Sequence, residues 1–115
     1  MEKQNKKAVG KAYEDLATAY LIDKGYKILA RNYRCKVGEI DIIAKEKDVV
    51  VFIEVKYRKT LAFGSPAEAV NYYKKQRILR TAKWYLHAYY KNEINCRFDV
   101  IEILDKKLSH VEAAF

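Results

Sequence analysis

Two segments in the first half of the chain carry charge where a buried strand would carry apolar residues: Gly38-Glu39-Ile40-Asp41-Ile42 and Phe52-Ile53-Glu54-Val55-Lys56. Charged side chains are rare in covered strands and need a partner there. Strand alternation puts Glu39 and Asp41 on one face, Ile40 and Ile42 on the other, and groups Glu54 with Lys56. Lys45 to Asp48 read as a polar turn, so the two segments form a hairpin. With an even number of turn residues Asp41 opposes Glu54 and Glu39 opposes Lys56, because opposed residues of an antiparallel pair share a face. An odd number, without a bulge, sends the two carboxylates to opposite sides.

Adjacent carboxylates raise each other's pKa unless a cation lies between them. A hard divalent ion such as Mg²⁺ or Mn²⁺ prefers oxygen ligands in this arrangement, with water completing its shell. Lys56 beside such an ion could orient an attacking water or offset charge growing on a phosphate. The plain alternative is a salt-bridged quartet in which Lys56 pairs with Glu39 and Glu54. For a lone Glu-x-Lys on a strand that alternative is the commoner one. A second acidic strand end beside it tips the reading toward metal.

The elements that must position these groups follow from periodicity and punctuation. Val9 to Lys24 reads as a helix, with Ala12, Leu16, Ala19 and Tyr20 at helical spacing and Gly25 as its stop. Strands are expected over Tyr26 to Tyr33, Gly38 to Ala44 and Val49 to Tyr57. The run Val49 to Ile53 is apolar on both faces and marks a central, covered strand. A second helix begins with Ser65 as N-cap, Pro66 in the first turn and Glu68 closing a capping box. Val70, Tyr73, Ile78, Ala82 and Leu86 line its inner side, with a kink near Asn71. The pattern fades over Lys91 to Asn95; Arg97 to Leu104 is a fourth strand, and Leu108 to Ala113 a short fifth at the edge. This order predicts a single α/β domain over residues 1–115, a mixed sheet containing a hairpin and flanked by helices, not a doubly wound one.

Totals narrow the function classes. The chain has 115 residues, half of them hydrophobic, with only 4 Gly and 1 Pro, so a packed core is expected and a long linker is not. No segment approaches the ~20 apolar residues of a membrane span, and no apolar stretch follows the basic start as in a signal peptide. A cytoplasmic location is the expectation. Cys35 and Cys96 form no C-x-x-C pair and lie far from His87 and His110, which predicts free thiols and not a zinc site. The net charge of +8 suits a polyanionic partner.

Together these residues resemble the YraN-like family of small bacterial proteins. The resemblance rests on the two charged segments with Gly10 and Glu14 in the first helix, Gly25-Tyr26, Arg31-Asn32-Tyr33, Phe63-Gly64, Lys74 with Arg77, and Arg97-Phe98-Asp99-Val100. That family is similar to the PD-(D/E)XK nucleases, with a restriction-endonuclease-like fold, and among them to Holliday-junction resolvases. The resemblance implies that Asp41 and Glu54 bind metal with help from the Val55 carbonyl, that Lys56 takes the lysine role, and that Glu14 is the first-helix acid turned toward the same site. The proline of the superfold's name is replaced by Ile40. Glu39 has no fixed role in that pattern and could be a ligand or a partner of Lys56 or an arginine. A surface pair with Lys11 is the alternative for Glu14.

Basic residues gather as Arg31, Arg34 and Lys36, as Lys56, Arg58 and Lys59, and as Lys74, Lys75, Arg77, Arg80 and Lys83. The first two groups flank the acidic strands and could hold a phosphate backbone. The third could do so or be a solvated helix face. Tyr72, Tyr73, Tyr85, Tyr89 and Tyr90 with Trp84 crowd the second helix, chiefly as core, with base stacking and a dimer surface as alternatives. The expected function is a Mg²⁺- or Mn²⁺-dependent endonuclease acting on DNA, branched or distorted DNA included. A junction-cutting enzyme would need a homodimer. A non-catalytic nucleic-acid-binding module is the main rival, and a protein-interaction domain the third reading.

Overall fold

The computed structural model describes residues 6–58 and 70–115, with side chains from residue 8 onward. Helix α1 (Lys6–Asp23) leads into strands β1 (Lys27–Cys35), β2 (Gly38–Glu46) and β3 (Val49–Arg58), followed by helix α2 (Tyr72–Tyr89) and strands β4 (Cys96–Leu104) and β5 (Lys107–Val111). The strands form one mixed sheet in sequence order, β1-β2-β3-β4-β5. All neighbours are antiparallel except β3 and β4, which run parallel because α2 crosses between them.

Each helix covers one face. Ala17 and Leu21 of α1 pack on Ile42, Ala44, Val51, Ile53, Ile101 and Ile103. Ile78, Ala82 and Tyr85 of α2 pack on Ile40, Ile43, Val50, Phe52 and Val100. Residues 50–54 are all buried, as a central strand with helices on both sides requires. The buried stripe of α1 is displaced from the expected one: Ala12, Leu16 and Ala19 face solvent, and Leu16 is 54% exposed. Its alanines and leucines satisfy either phase, and the choice falls to the tyrosines, with Tyr13 and Tyr20 set against the core.

Helix ends follow local chemistry. Tyr26 N–H bonds the Leu21 carbonyl and Gly25 N–H the Ile22 carbonyl, both at 2.9 Å, with Gly25 at φ 94°; this six-to-one and five-to-two pair is a Schellman stop. Tyr26 and Leu21 then enter the same core cluster. The expected helix start at Ser65, Pro66 and Glu68 lies outside the described residues. Asn71, expected at a kink, is instead the N-cap: its side chain accepts from Lys74 N–H at 2.9 Å. Val70 therefore precedes the helix, buried, and Tyr73 turns outward at 74% exposure instead of lining the core. Gly38, at φ 154°, opens β2 directly beneath α2, where a Cβ would lie 2.8 Å from Thr81 Oγ1. That close approach seats α2 on the strand that carries Asp41.

Candidate active site

The β2–β3 turn holds two residues, Lys47 and Asp48, because Glu46 pairs with Val49. The even count sets the register that places Asp41 opposite Glu54. The ladder itself stops one step earlier, at Ile42 and Ile53, and the strands part beyond it. Into this gap Asp41 sends its carboxylate, and Oδ2 accepts a hydrogen bond from Val55 N–H at 2.8 Å. A residue's N–H and C=O point to the same side of a strand, so the Val55 carbonyl opens into the same gap.

Strict alternation fails across Asp41. Ile42 joins the core under α1, whereas Ile43 and also Ile40 join the core under α2. Ile40 and Ile42 therefore do not share a face, as simple alternation predicted. Opposite the irregular step stands Asn32, with φ 52°, between the ladder pairs Arg31–Ile42 and Tyr33–Ile40. The local twist sets Asp41 at a seam reached from both helices.

A cleft of about 240 Å³ opens at this seam, lined by Gly10, Tyr13 and Glu14 of α1, Asp41, Glu54, Val55, Lys56 and Tyr57 of the hairpin, and Lys74 of α2. Gly10 has nothing within 4 Å of where a Cβ would stand, so the α1 wall is open there. Tyr13 stacks on Tyr57 with centroids 4.0 Å apart and closes another side. Glu14, Asp41, Glu54 and Lys56 are thus brought to one cleft.

The charges are unevenly satisfied. Glu54 is buried, and its Oε1 meets Lys74 Nζ at 2.6 Å and Lys56 Nζ at 3.7 Å. Asp41 has no such cation: burial first, then the negative charge of Glu54, push its carboxyl up to about 7, with Glu14 adding to the effect. Val55 N–H and Lys74 offset this only in part. Burial pulls the Lys56 ammonium below its ordinary value, and neighbouring Lys74 pulls it further. Lys74 is opposed by burial too, yet Glu54 carries it above its ordinary value. Glu14 does not pair with Lys11, which bonds Asp15 at 3.1 Å. Its buried Oε1 accepts no hydrogen bond and has Arg31 only at 4.0 Å.

An underprovided half-buried carboxyl, an orphaned carboxylate oxygen and a strand carbonyl facing the gap are oxygen donors that a hard divalent cation would satisfy. The donor set fits such an ion. The expected tight convergence of Glu14, Asp41 and Glu54 is nonetheless absent. Among the described residues only Asp99, His110 and Glu112 bring ligand atoms within 4.8 Å of one another. Like charges without a counterion keep apart, and Glu54 is drawn toward Lys74.

That other cluster already encloses a cation. Arg97 donates to Asp99 at 3.1 Å, Glu46 at 2.9 Å, Glu112 at 3.0 Å and the Tyr26 hydroxyl at 2.6 Å. His110 Nε2 meets Asp99 Oδ2 at 2.7 Å and its Nδ1 meets the Tyr20 hydroxyl at 3.0 Å. The guanidinium stands where a metal would, and the network ties β4, β5, β2 and the residues after α1 together.

The remaining sequence candidates disperse. Glu39 is exposed and pairs with Arg34 at 3.0 Å, across the β1–β2 ladder and not with Lys56. Arg31 reaches Asp15 at 2.8 Å and, with Glu14, Asn32, Arg34, Glu39 and Asp41, lines a second hollow of about 420 Å³ that shares Gly10, Glu14 and Asp41 with the first. Lys36 is exposed at the β1–β2 turn, and Arg77 is exposed on α2. Arg58 is turned inward, 10% exposed, in an ion pair with Glu102 at 2.5 Å. Lys59 lies outside the described residues. Lys74, grouped by sequence with a basic surface, is instead a wall of the cleft. The signal was available: Lys74, Ile78, Ala82 and Tyr85 recur at helical spacing along the buried side of α2.

The model of the uncharacterised protein family UPF0102 matches residues 13–103. The chain is 43% identical over 122 residues to a UPF0102 protein of Caldanaerobacter subterraneus subsp. tengcongensis, covering all of both. It is 52% identical over 104 residues to one from Clostridium acetobutylicum, covering 90% of this chain and 84% of that one. Among solved structures, a repair endonuclease from Pyrococcus abyssi superposes with a TM-score of 0.50 at 18% identity, over 90% of this chain and 41% of that one. The present chain thus spans less than half of that enzyme, and the likeness is one of fold.

Proposed function

The chain belongs to the uncharacterised protein family UPF0102, and from its cleft and nuclease-like fold we propose that it is a divalent-metal-dependent endonuclease acting on DNA. The observation that carries the proposal is that Asp41 and Glu54, opposite each other just beyond the end of the β2–β3 ladder, line one cleft with Lys56. Asp41, Glu54 and the Val55 carbonyl would hold Mg²⁺ or Mn²⁺, with Glu14 reaching it directly or through water. The ion would supply an activated water and a clamp on the scissile phosphate. Lys56, kept below its ordinary pKa, holds a proton loosely and can orient the water or steady charge on the phosphate. Lys74 holds Glu54 until a cation competes for it. Arg31 and Arg34, lining the adjoining hollow, offer donors to the phosphate backbone leading into the cleft.

The deciding experiment incubates the protein with single-stranded, duplex, flap and four-way DNA, with Mg²⁺, Mn²⁺ or chelator. Divalent-dependent nicking that Asp41→Asn and Lys56→Ala both abolish supports the reading. Salt-sensitive binding without cleavage of any substrate rejects it in favour of a non-catalytic binding module. Cleavage of the four-way substrate at paired positions would add that the enzyme works as a homodimer.

A further inference from the structure

The outward face of α2 consists of rings and cations. Tyr73, Arg77, Arg80, Trp84 and His87 follow one another at steps of four, three, four and three. At 100° per residue they stay within about 80° of the helix circumference and extend for about 21 Å. All five are exposed, Tyr73 by 74% and Trp84 by 49%. The helix holds Lys74, Lys75, Arg77, Arg80 and Lys83, and between Tyr72 and Tyr89 it has no Asp or Glu. Among the described residues Arg77, Arg80 and Lys83 enter no ion pair.

An ordinary solvated helix mixes both charge signs and keeps large rings inward. This face does neither. Charge of one sign along a whole helix calls for a polyanion, and rings spaced between those charges call for flat apolar partners. A protein surface offers both together only by coincidence; a polynucleotide offers them at every residue. Bases present free faces only in an unpaired strand, because neighbours in a duplex stack on both sides of each base. Around Trp84 the helix also forms a mostly apolar hollow with Lys83, His87 and Ala88.

We infer that the outer face of α2 binds unpaired nucleic acid, stacking bases on Tyr73 and Trp84 while Arg77 and Arg80 pair with phosphates between them. Tyr73 precedes Lys74, which reaches Glu54 in the cleft, so the track starts at the end of α2 nearer the cleft. That the bound strand continues into a cutting site rests on the nuclease reading; the binding itself does not.

Trp84 is the single tryptophan, so its fluorescence reports this face alone. The full chain is titrated in chelator with an oligothymidylate, with a blunt duplex of equal length and with inorganic polyphosphate. The oligothymidylate should quench Trp84 saturably, and the other two should leave it largely unquenched. Trp84→Ala and Tyr73→Ala should each weaken single-strand binding roughly five- to 150-fold, the range of one lost base–aromatic stack. Trp84→Phe should restore most of the affinity, and Arg77→Ala with Arg80→Ala should flatten the salt dependence by about 1.4 in log–log slope. Equal quenching by polyphosphate, or single-strand affinity unchanged in Trp84→Ala, overturns the inference. So does quenching that follows protein concentration without nucleic acid, which would make this face a contact between copies. Cleavage that persists with unaltered single-strand affinity in Trp84→Ala sinks this inference alone. Trp84-dependent binding without cleavage sinks the nuclease reading alone.

Discussion

Lys74 Nζ lies 2.6 Å from Glu54 Oε1, closer than Lys56 at 3.7 Å, so the buried glutamate is held by a helix residue and only shared with its own strand. The cleft therefore carries an internal cation that competes with any metal. Lys74→Ala should cost about 1–3 kcal/mol without metal, less than a fully buried pair because a third of the Lys74 side chain is exposed. Added Mg²⁺ should recover more melting temperature in this variant than in wild type. Thermal scans with and without metal check both; a variant that gains no more than wild type shows that Lys74 does not compete for the site.

Asp41→Asn removes the carboxyl that burial and Glu54 disfavour, and removes a hard ligand with it. Without metal the variant should melt at or above the wild-type temperature. Millimolar Mg²⁺ or Mn²⁺ should raise wild type, by mass action on the folded state, and leave the variant nearly unmoved. A clear loss of stability in the metal-free variant would mean that Asp41 is ion-paired structure.

The same carboxyl predicts a pH dependence. Its folded-state value is raised from 3.8 to about 7, so the folded protein binds this proton more tightly than the unfolded chain. The resulting stability is complete below about pH 4 and is lost as pH rises through about 7. Metal binds only the ionised form, so the metal-induced rise in melting temperature should be small at pH 5.5 and large at pH 8. Equal rises at both values would place the bound ion elsewhere.

Arg97 is the centre of the other charge cluster, and Asp99 beneath it is fully buried. Burial alone would raise the Asp99 carboxyl; hydrogen bonds from His110, Arg97 and Ala113 N–H bring it below its ordinary value. A depressed value stabilises the fold above pH 3.8, and this is lost as pH falls through the folded-state value. Arg97→Met should cost about 3–5 kcal/mol at neutral pH by leaving Asp99 without its main cation. Urea titration measures it, and a near-neutral result would show that His110 suffices.

Gly38→Ala tests how α2 is seated. The new Cβ would meet Thr81 Oγ1 at 2.8 Å from a left-handed backbone, which should cost about 1–3 kcal/mol. Pairing it with Thr81→Ala should relieve the steric part only. A double mutant fully as stable as Thr81→Ala alone would show that backbone strain contributes nothing.

Much of the fold was legible because its signals are local. Gly25 stops α1, the polar run Lys45 to Asp48 turns the hairpin, and the apolar run through Phe52 identifies the central strand. The even turn set the register that puts Asp41 opposite Glu54, although the paired ladder ends one step before them. Alternation could not show the reversal at Asp41, which stands opposite Asn32 and its positive φ on the neighbouring strand. The partner of Glu54 was less legible: Lys74 reads as one of many cations unless its helical spacing with Ile78, Ala82 and Tyr85 is followed. Arg58 and Arg97 resemble surface charge in sequence, and only the folded sheet brings up the acids that draw them inward: Glu102 of β4 for Arg58, and Asp99 of β4, Glu46 of β2 and Glu112 after β5 for Arg97.

The irregular course of β1 has a further consequence, for association. Its register shifts between Ile28 and Ala30, and Asn32 breaks the regular backbone four residues before the turn at Lys36. At the opposite margin β5 has only five residues, beginning with Lys107. Bulged, charged or very short outer strands are poor templates for adding another strand. Among the described residues both borders of the five-stranded sheet are thus blunted against edge-to-edge growth, which disfavours association by strand addition.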